Sequence, residues 1–449
     1  MAEAKRTQST IEQERALLVG VLLPDTDYDI RDPLQELRSL AQTAGARVVD
    51  EIVTKRRRIE AGMYIGTGKA QEIAERARRN KVDVVVFDNN LSPAQVRELE
   101  QAIGRKVLDR SEVILDIFAA HARTDEARLQ VELAQLEYTY PRLRHMWTHL
   151  ERVAGGAATA AAAVGGIGTR GPGEKQLEID RRLVKRRVSE LKRRILEIDQ
   201  RKQRTVQARR EHYLVCLVGY TNAGKSTLMN LFTGAGAVVA DKLFSTLDTR
   251  TRRWNLGEGA EALLSDTVGF IRDLPHHLVA SFRATLEEAL GADLLLHVAD
   301  ASHPRVDRQI EAVNGVLDQL GCGDKDRLLL LNKTDRIGDP SVRTVLAGKY
   351  AGAIFVSATT GENAGAVVAA LSERLRGRRV NVTLEVNCAN GRLMQYLSRY
   401  ARLSGHEYEG SRARFQAEMS ERHLAALTVF GRDVAVRTPH RQPTESVSQ

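Results

Sequence analysis

Gly219-Tyr220-Thr221-Asn222-Ala223-Gly224-Lys225-Ser226 has the spacing G-x-x-x-x-G-K-[ST], the pattern of a loop that wraps nucleoside phosphates. The glycines let backbone N–H groups come close to phosphate oxygens. Lys225 is placed to reach the β- and γ-phosphates and the Ser226 hydroxyl to ligate Mg²⁺. The chemistry needs a strand before the loop and a helix after it. Leu214-Val215-Cys216-Leu217-Val218 reads as a buried strand, and Thr227 to Phe232 as the start of a helix whose positive dipole end faces the anion. Gly219 through Thr227 therefore form the expected phosphate-binding set. An ordinary Gly-rich turn is the bland alternative, and the strand–loop–helix context weighs against it.

A second apolar strand, Leu328 to Leu331, ends in Asn332-Lys333-Thr334-Asp335. N-K-x-D at a strand's carboxyl end points to guanine. That base presents N1–H beside a 2-amino group, and one carboxylate, Asp335, can accept both bonds. Adenine offers no such pair, so a site built this way rejects it. The aliphatic stem of Lys333 is expected to pack on the purine. A third strand, expected over Ala353 to Val356, leads into Ser357-Ala358, whose backbone is placed to touch the guanine O6.

At the phosphate end, Asp266-Thr267-Val268-Gly269 carries D-x-x-G. Asp266 would hold Mg²⁺ through water, and the Gly269 N–H would meet the γ-phosphate. The polar stretch Asp241 to Asp248 reads as a first switch, with Thr246 as the expected Mg²⁺ ligand and Thr249 and Thr251 as rivals. Loops that close on a γ-phosphate and relax after hydrolysis form a two-state switch. Lys225, Thr246 and Gly269 are thus the residues expected at the reaction centre. After Gly269 stands Phe270, where many GTPases have a glutamine that orients the attacking water. Phenylalanine can neither donate nor accept. Slow unaided hydrolysis is expected, with a catalytic group coming from a partner, from RNA or from within the chain. Phe270 also reads simply as a core residue.

The elements that position these groups belong to a longer chain. At 449 residues, three or so domains are expected. An apolar fraction of 43% excludes wholesale disorder. No apolar run approaches the ~20 residues of a membrane-spanning helix, and the polar start Met1 to Arg6 lacks a signal-peptide core. Three cysteines without metal spacing argue against a disulfide framework and for a reducing compartment, the cytoplasm. A net charge of +9 suggests an anionic partner, nucleic acid ahead of a membrane surface, with only weak association expected at the latter.

In the N-terminal part, the strands expected at Ala16 to Leu23 and Val82 to Asp88 alternate with helical patterns, which implies a parallel sheet with helices on its faces. Ser92-Pro93-Ala94-Gln95 has the form of a capping box. Gly66-Thr67-Gly68-Lys69 is too short for a phosphate loop and reads as a turn with a helix N-terminus. Two heptad stripes follow, Leu129-Leu133-Leu136-Tyr140-Leu143-Trp147-Leu150 and Leu177-Val184-Val188-Leu191-Ile195-Ile198. Pro141 is a candidate kink. The Gly-rich stretch between them suggests an antiparallel hairpin with a pliant tip. Arg181, Arg182, Lys185, Arg186, Arg187, Lys192, Arg193 and Arg194 make the second helix basic, either as a solvated face or as a flank for RNA. Residues 379–438 read as a small α+β unit.

Met63 to Lys69, Phe87 to Pro93, Leu129 to Leu136 and above all Gly165-Gly166-Ile167-Gly168-Thr169-Arg170-Gly171-Pro172-Gly173-Glu174 resemble signatures of the HflX family of ribosome-associated GTPases. Lys242 to Asp248 and Asp266 to Ile271 are similar to its switches, so Phe270 looks like a family trait. Lys175 and Thr249-Arg250 depart from the family pattern. The resemblance implies GTP hydrolysis with Mg²⁺, binding of the large ribosomal subunit and its RNA through the N-terminal region, and ribosome splitting, rescue or quality control under stress. It also implies acceleration of hydrolysis by the ribosome.

The expected fold is α/β and multidomain: a tail over 1–14, an N-terminal parallel α/β domain over 15–120, a helical hairpin over 121–211, a P-loop GTPase domain over 212–378, a small α+β C-terminal domain over 379–439 and a tail over 440–449. A monomer that binds GTP and GDP is expected. A GTP-switched signalling protein without an RNA partner and an ATP-driven RNA remodeller using the N-terminal half remain alternatives.

Overall fold

The computed structural model describes residues 14–24, 28–29, 31–155, 182–198, 213–234, 243–244, 250–257, 260–272, 288–376, 379–420, 423–424 and 427–437, with only the backbone of 141–155. The Gly-rich tip, Leu177, Arg181, Thr246, Thr249 and both tails lie outside these residues. The chain divides into two units, Met1–Ala364 and Gly365–Gln449.

The first unit contains one parallel sheet and one mixed, mostly parallel sheet. β1 (Arg15–Leu22), β2 (Arg47–Lys55), β3 (Val84–Phe87) and β4 (Lys106–Asp109) form a four-stranded sheet of order β2-β1-β3-β4, every pair parallel. Near-continuous apolar runs in β1 and β3 are what a sheet covered on both faces requires. The covering helices are α1 (Gln35–Thr43), α2 (Thr67–Arg79), α3 (Pro93–Ile103) and α4 (Arg110–His121). α3 starts on the expected capping box: Ser92 accepts from the Gln95 N–H, and Gln95 accepts from the Ser92 N–H at 2.9 Å. At the crevice where β1 parts β2 from β3, the Asn89 side chain bonds both the N–H and the carbonyl of Val21, at 3.0 and 3.1 Å.

α5 (Asp125–Gly155) is assigned as one unbroken helix through Pro141. Its best-buried residues include Ala127, Gln130, Val131 and Ala134, and Ala127, Val131 and Ala134 belong to the same apolar cluster as Phe118 of α4. The heptad reading picked out a different stripe, of which Leu133 is buried and Leu129 and Leu136 are partly exposed. The helix therefore serves two faces, and its first turns pack as part of the N-terminal core rather than after it. α6 (182–198) meets α5 through Arg187–Glu132 at 2.7 Å and Lys192–Glu137 at 2.8 Å, and Leu191 is fully buried. Arg193 and Arg194 also have carboxylate partners, in Glu197 and Glu190. Part of the basic face is thus balanced within the helices.

The second sheet has six strands in the order β10-β9-β8-β5-β7-β6: β5 (Tyr213–Gly219), β6 (Arg250–Gly257), β7 (Ala260–Asp266), β8 (Leu294–Asp300), β9 (Arg327–Asn332) and β10 (Ile354–Phe355). Only β6, at one edge, is antiparallel. α7 (Lys225–Thr233) and α8 (Val306–Gln319) are among its helices. The phosphate loop, D-x-x-G, N-K-x-D and Ser357-Ala358 each lie at or just past the carboxyl end of a strand, where open α/β sheets bind ligands.

The second unit carries an antiparallel sheet of order β12-β13-β11-β14, formed by β11 (Arg379–Asn387), β12 (Arg402–Glu409), β13 (Arg412–Ser420) and β14 (Val434–Arg437). Leu393 and Leu397 of the helix Gly391–Tyr400 pack into a core with Val382, Leu384, Val386 and Phe415. This is the small α+β unit expected from the alternating strands.

Candidate nucleotide site

Gly219 ends β5 with φ +153, and a Cβ there would lie 2.2 Å from the Val298 carbonyl oxygen on β8. Asn222 and Gly224 take positive φ, +58 and +97. Such a run turns successive N–H groups into one concavity, the backbone form of an anion site. Lys225 opens α7, is buried, and donates from Nζ to the carbonyls of Gly219 (3.1 Å) and Tyr220 (2.9 Å). Burial pushes its ammonium down to about 8, and the Asp266 carboxylate works against that shift. The Ser226 hydroxyl donates to Asp266 Oδ2 at 2.6 Å. Among the described residues Thr221 Oγ1 is buried without a hydrogen-bond partner, and Thr221 lines a cavity of about 610 Å³ with Tyr220, Asn222, Leu243 and Asp300.

Gly269 lies against this loop. A Cβ on it would sit 2.8 Å from Thr221 Cα and 2.9 Å from Lys225 Nζ, so only glycine allows the approach. Phe270 is locked beside it: its N–H donates to Gly219 O at 3.1 Å, and its carbonyl accepts from the Thr221 N–H at 2.7 Å. The Phe270 ring is buried in the apolar core, as the bland reading expected.

The base end is assembled from β9 and the turn after β10. Asn332 bridges two loops: Nδ2 donates to the Ala223 carbonyl at 2.8 Å, and Oδ1 accepts from the Ala358 N–H at 3.0 Å. Gly224 is glycine partly for this contact, since a Cβ would stand 2.2 Å from Asn332 Nδ2. Lys333 pairs with Asp300 at 2.7 Å, and the Ser357 hydroxyl donates to Asp335. Thr227 follows Ser226 in the first turn of α7. Thr251, a rival for the switch threonine, lies in β6 with its hydroxyl on Ser265 at 2.8 Å. All expected site residues except Thr246, which is outside the described residues, come together at the carboxyl edge of one sheet.

A relative from Escherichia coli, "GTPase HflX", is 44% identical over 400 residues, covering 88% of this chain and 90% of its own. The chain belongs to the HflX family. Another HflX relative, from Lacrimispora saccharolytica, is 41% identical over 88% of this chain and 91% of its own length. Family models described as "GTP-binding GTPase N-terminal", "GTP-binding GTPase Middle Region" and "50S ribosome-binding GTPase" match residues 31–119, 121–209 and 214–333. A solved structure of a GTP-binding protein from Sulfolobus solfataricus with GDP aligns over 80% of this chain at 23% identity, with a TM-score of 0.41. Like its HflX relatives, the chain is a GTPase.

Sequence reasoning missed Asp300 and, more importantly, the groups that reach the site from the N-terminal sheet. Glu36, Asp88 and Arg110 meet Tyr220 and Arg272 beside the loop. The available signal was position: Asp88 and Arg110 directly follow strands β3 and β4.

Proposed function

We propose that this chain is a GTP-hydrolysing factor that binds the large ribosomal subunit and its RNA through its N-terminal region, and acts in ribosome splitting, rescue or quality control under stress. One observation carries the reading: the phosphate-loop, D-x-x-G and N-K-x-D residues gather at one sheet edge, and the residue after Gly269 is a buried phenylalanine, Phe270. Such a site needs its catalytic group from outside, and the description of the matching family model supports the ribosome as its source.

In this reading Asp335 accepts from the guanine N1–H and 2-amino group, with Ser357 orienting the carboxylate. The Lys333 stem packs on the purine, and the Ala358 backbone lies at O6. Gly219 to Thr227 cradle the phosphates, Lys225 meets the β- and γ-phosphates, and the Gly269 N–H meets the last of these. Ser226, Thr246 and, through water, Asp266 hold Mg²⁺. The Ser226 hydroxyl and Asp266 carboxylate side by side are the hard oxygen donors Mg²⁺ takes, with phosphates and water completing its shell. Bound there, the ion neutralises charge on the phosphates. No described helix is long and apolar enough to cross a membrane. The reading assigns a monomer acting in the cytoplasm, with at most weak contact to membrane surfaces.

The test is GTP turnover with and without ribosomal subunits, combined with co-sedimentation and a subunit-splitting assay. Turnover is expected to rise with large subunits, and GTP to drive co-sedimentation. Absence of GTP-dependent co-sedimentation at moderate salt would overturn the reading.

A further inference from the structure

The carboxyl edge of the N-terminal sheet, where a ligand would be expected, is filled by the GTPase domain of the same chain. Tyr220, inside the phosphate loop, donates its hydroxyl to Glu36 at 2.7 Å. The same oxygen accepts from the Arg272 N–H at 2.7 Å, three residues past Gly269. The Arg272 guanidinium reaches Asp88 at 2.7 Å. Arg110, almost fully buried, reaches the other Asp88 oxygen at 2.7 Å, Glu36 at 3.0 Å and the Arg272 carbonyl at 3.2 Å. Two guanidiniums and two carboxylates thus cancel where the Arg110 side chain is buried, that of Asp88 is nearly so, and Glu36 and Arg272 border the cavity. A third contact lies nearby: Phe118 of α4 meets Phe244, in the first-switch stretch, edge-on at 4.6 Å. The N-terminal domain therefore touches the phosphate loop and both switch segments.

We propose that Glu36, Asp88 and Arg110 form an internal latch on Tyr220 and Arg272, so that docking of the N-terminal domain and the nucleotide-dependent position of the second switch are one equilibrium. These are positioning residues; they act on nucleotide through the loop and the switch. Burial would raise the Glu36 carboxyl, but the Arg110 and Arg272 guanidiniums and the Tyr220 hydroxyl outweigh it and hold the group below its ordinary value. Burial and Glu36 push the Tyr220 phenol up, which keeps it a donor. A pocket of this kind tolerates poorly the loss of one member, because the remaining charges stay buried. Under this proposal it has two states, the engaged one seen here and an open one. In the engaged state Gly269 is held against the phosphate loop, where the third phosphate is met. Engagement then favours GTP over GDP, and by linkage GTP favours engagement by the same factor.

This rests on the reading of Gly269 but not on the ribosome. The experiment uses the full chain with Mg²⁺. Affinities for GDP and a non-hydrolysable GTP analogue are measured for the unaltered protein, Glu36→Gln and Asp88→Asn, with thermal melts to confirm folding. Amide hydrogen exchange is followed at the start of α4. Both variants are expected to lower the GTP-to-GDP affinity ratio about fivefold or more, the lower end of usual couplings, and to speed exchange at α4 in the GTP-analogue state. A folded variant pair with an unchanged or raised ratio would overturn the latch. Should Glu36→Gln or Asp88→Asn fail to fold, Tyr220→Phe tests the same contacts: it removes the hydroxyl that bonds both Glu36 and the Arg272 N–H and should lower the ratio likewise. An unchanged ratio in folded Tyr220→Phe would also overturn the latch. Gly269→Ala tests the underlying reading separately: analogue affinity should fall while GDP affinity holds.

Discussion

Gly66-Thr67-Gly68-Lys69 and Gly219-to-Ser226 both lie between a strand of a parallel sheet and the helix that follows it. They share glycines, a lysine and a helix N-terminus, yet their backbones differ. Gly66 caps α2 at φ −71, a value open to any residue, and Lys69 turns out to Glu72 at 2.6 Å. In the second loop Gly219, Asn222 and Gly224 all take positive φ, and Lys225 is buried on the loop's own carbonyls. The letters G and K mark neither a phosphate site nor its absence. What distinguishes them is a backbone that must curl, because β8 and Asn332 crowd it from behind.

The comparison can be broken at the base end first. Asp335→Asn should cost two charge-assisted hydrogen bonds of about 2 kcal/mol each, roughly 10³-fold in GTP affinity, while xanthosine triphosphate gains. Calorimetric titration with both nucleotides measures it. Retained GTP preference would remove Asp335 from the base.

The two sheets should also differ toward acid. His297, buried on β8, is held down to about 4 by burial, with the Arg327 and Lys225 charges adding to it; β3 at the centre of the N-terminal sheet is wholly apolar. With its folded value below the unfolded one, His297 binds fewer protons in the native state. Stability is therefore full above pH ~6.5 and falls as pH drops toward ~4, by about 2–3 kcal/mol. Urea unfolding at pH 7 and 4.5 should show this loss in the GTPase domain, and His297→Leu should flatten it.

Gly224→Ala places a Cβ at φ +97, 2.2 Å from Asn332 Nδ2. Strain of roughly 1–3 kcal/mol is expected, read as a lower melting temperature together with weaker GTP binding. The smallest effect belongs to the other loop. Lys69→Ala loses one helix-surface pair, about 0.3–0.5 kcal/mol, and should leave GTP affinity unchanged. A measurable loss of nucleotide binding there would give the first loop a role that its backbone does not suggest.

The nucleotide chemistry was legible because it is local. Phosphate loop, D-x-x-G and N-K-x-D each put their chemistry within eight residues, on strand ends that hydrophobic runs reveal. The capping box at Ser92 was legible for the same reason. The heptad reading of α5 was legible only by half. A period of seven marks one seam, and the face at Ala127, Val131 and Ala134 is small and apolar enough to escape notice until a second surface is seen to cover it.

By itself, then, the sequence determined a GTPase and named the strand-end motifs expected to hold the nucleotide, with Phe270 directly after the glycine of D-x-x-G. Only the tertiary structure decided what surrounds that site. Tyr220 and Glu36 are 184 residues apart, as are Arg272 and Asp88. Charged residues so far apart have no period or spacing to betray them, and a carboxylate finds its guanidinium only after two sheets have folded and met. The Asn332 bridge between phosphate loop and base loop has the same origin: a motif names the residue, but the packing of neighbouring parallel strands supplies its partners.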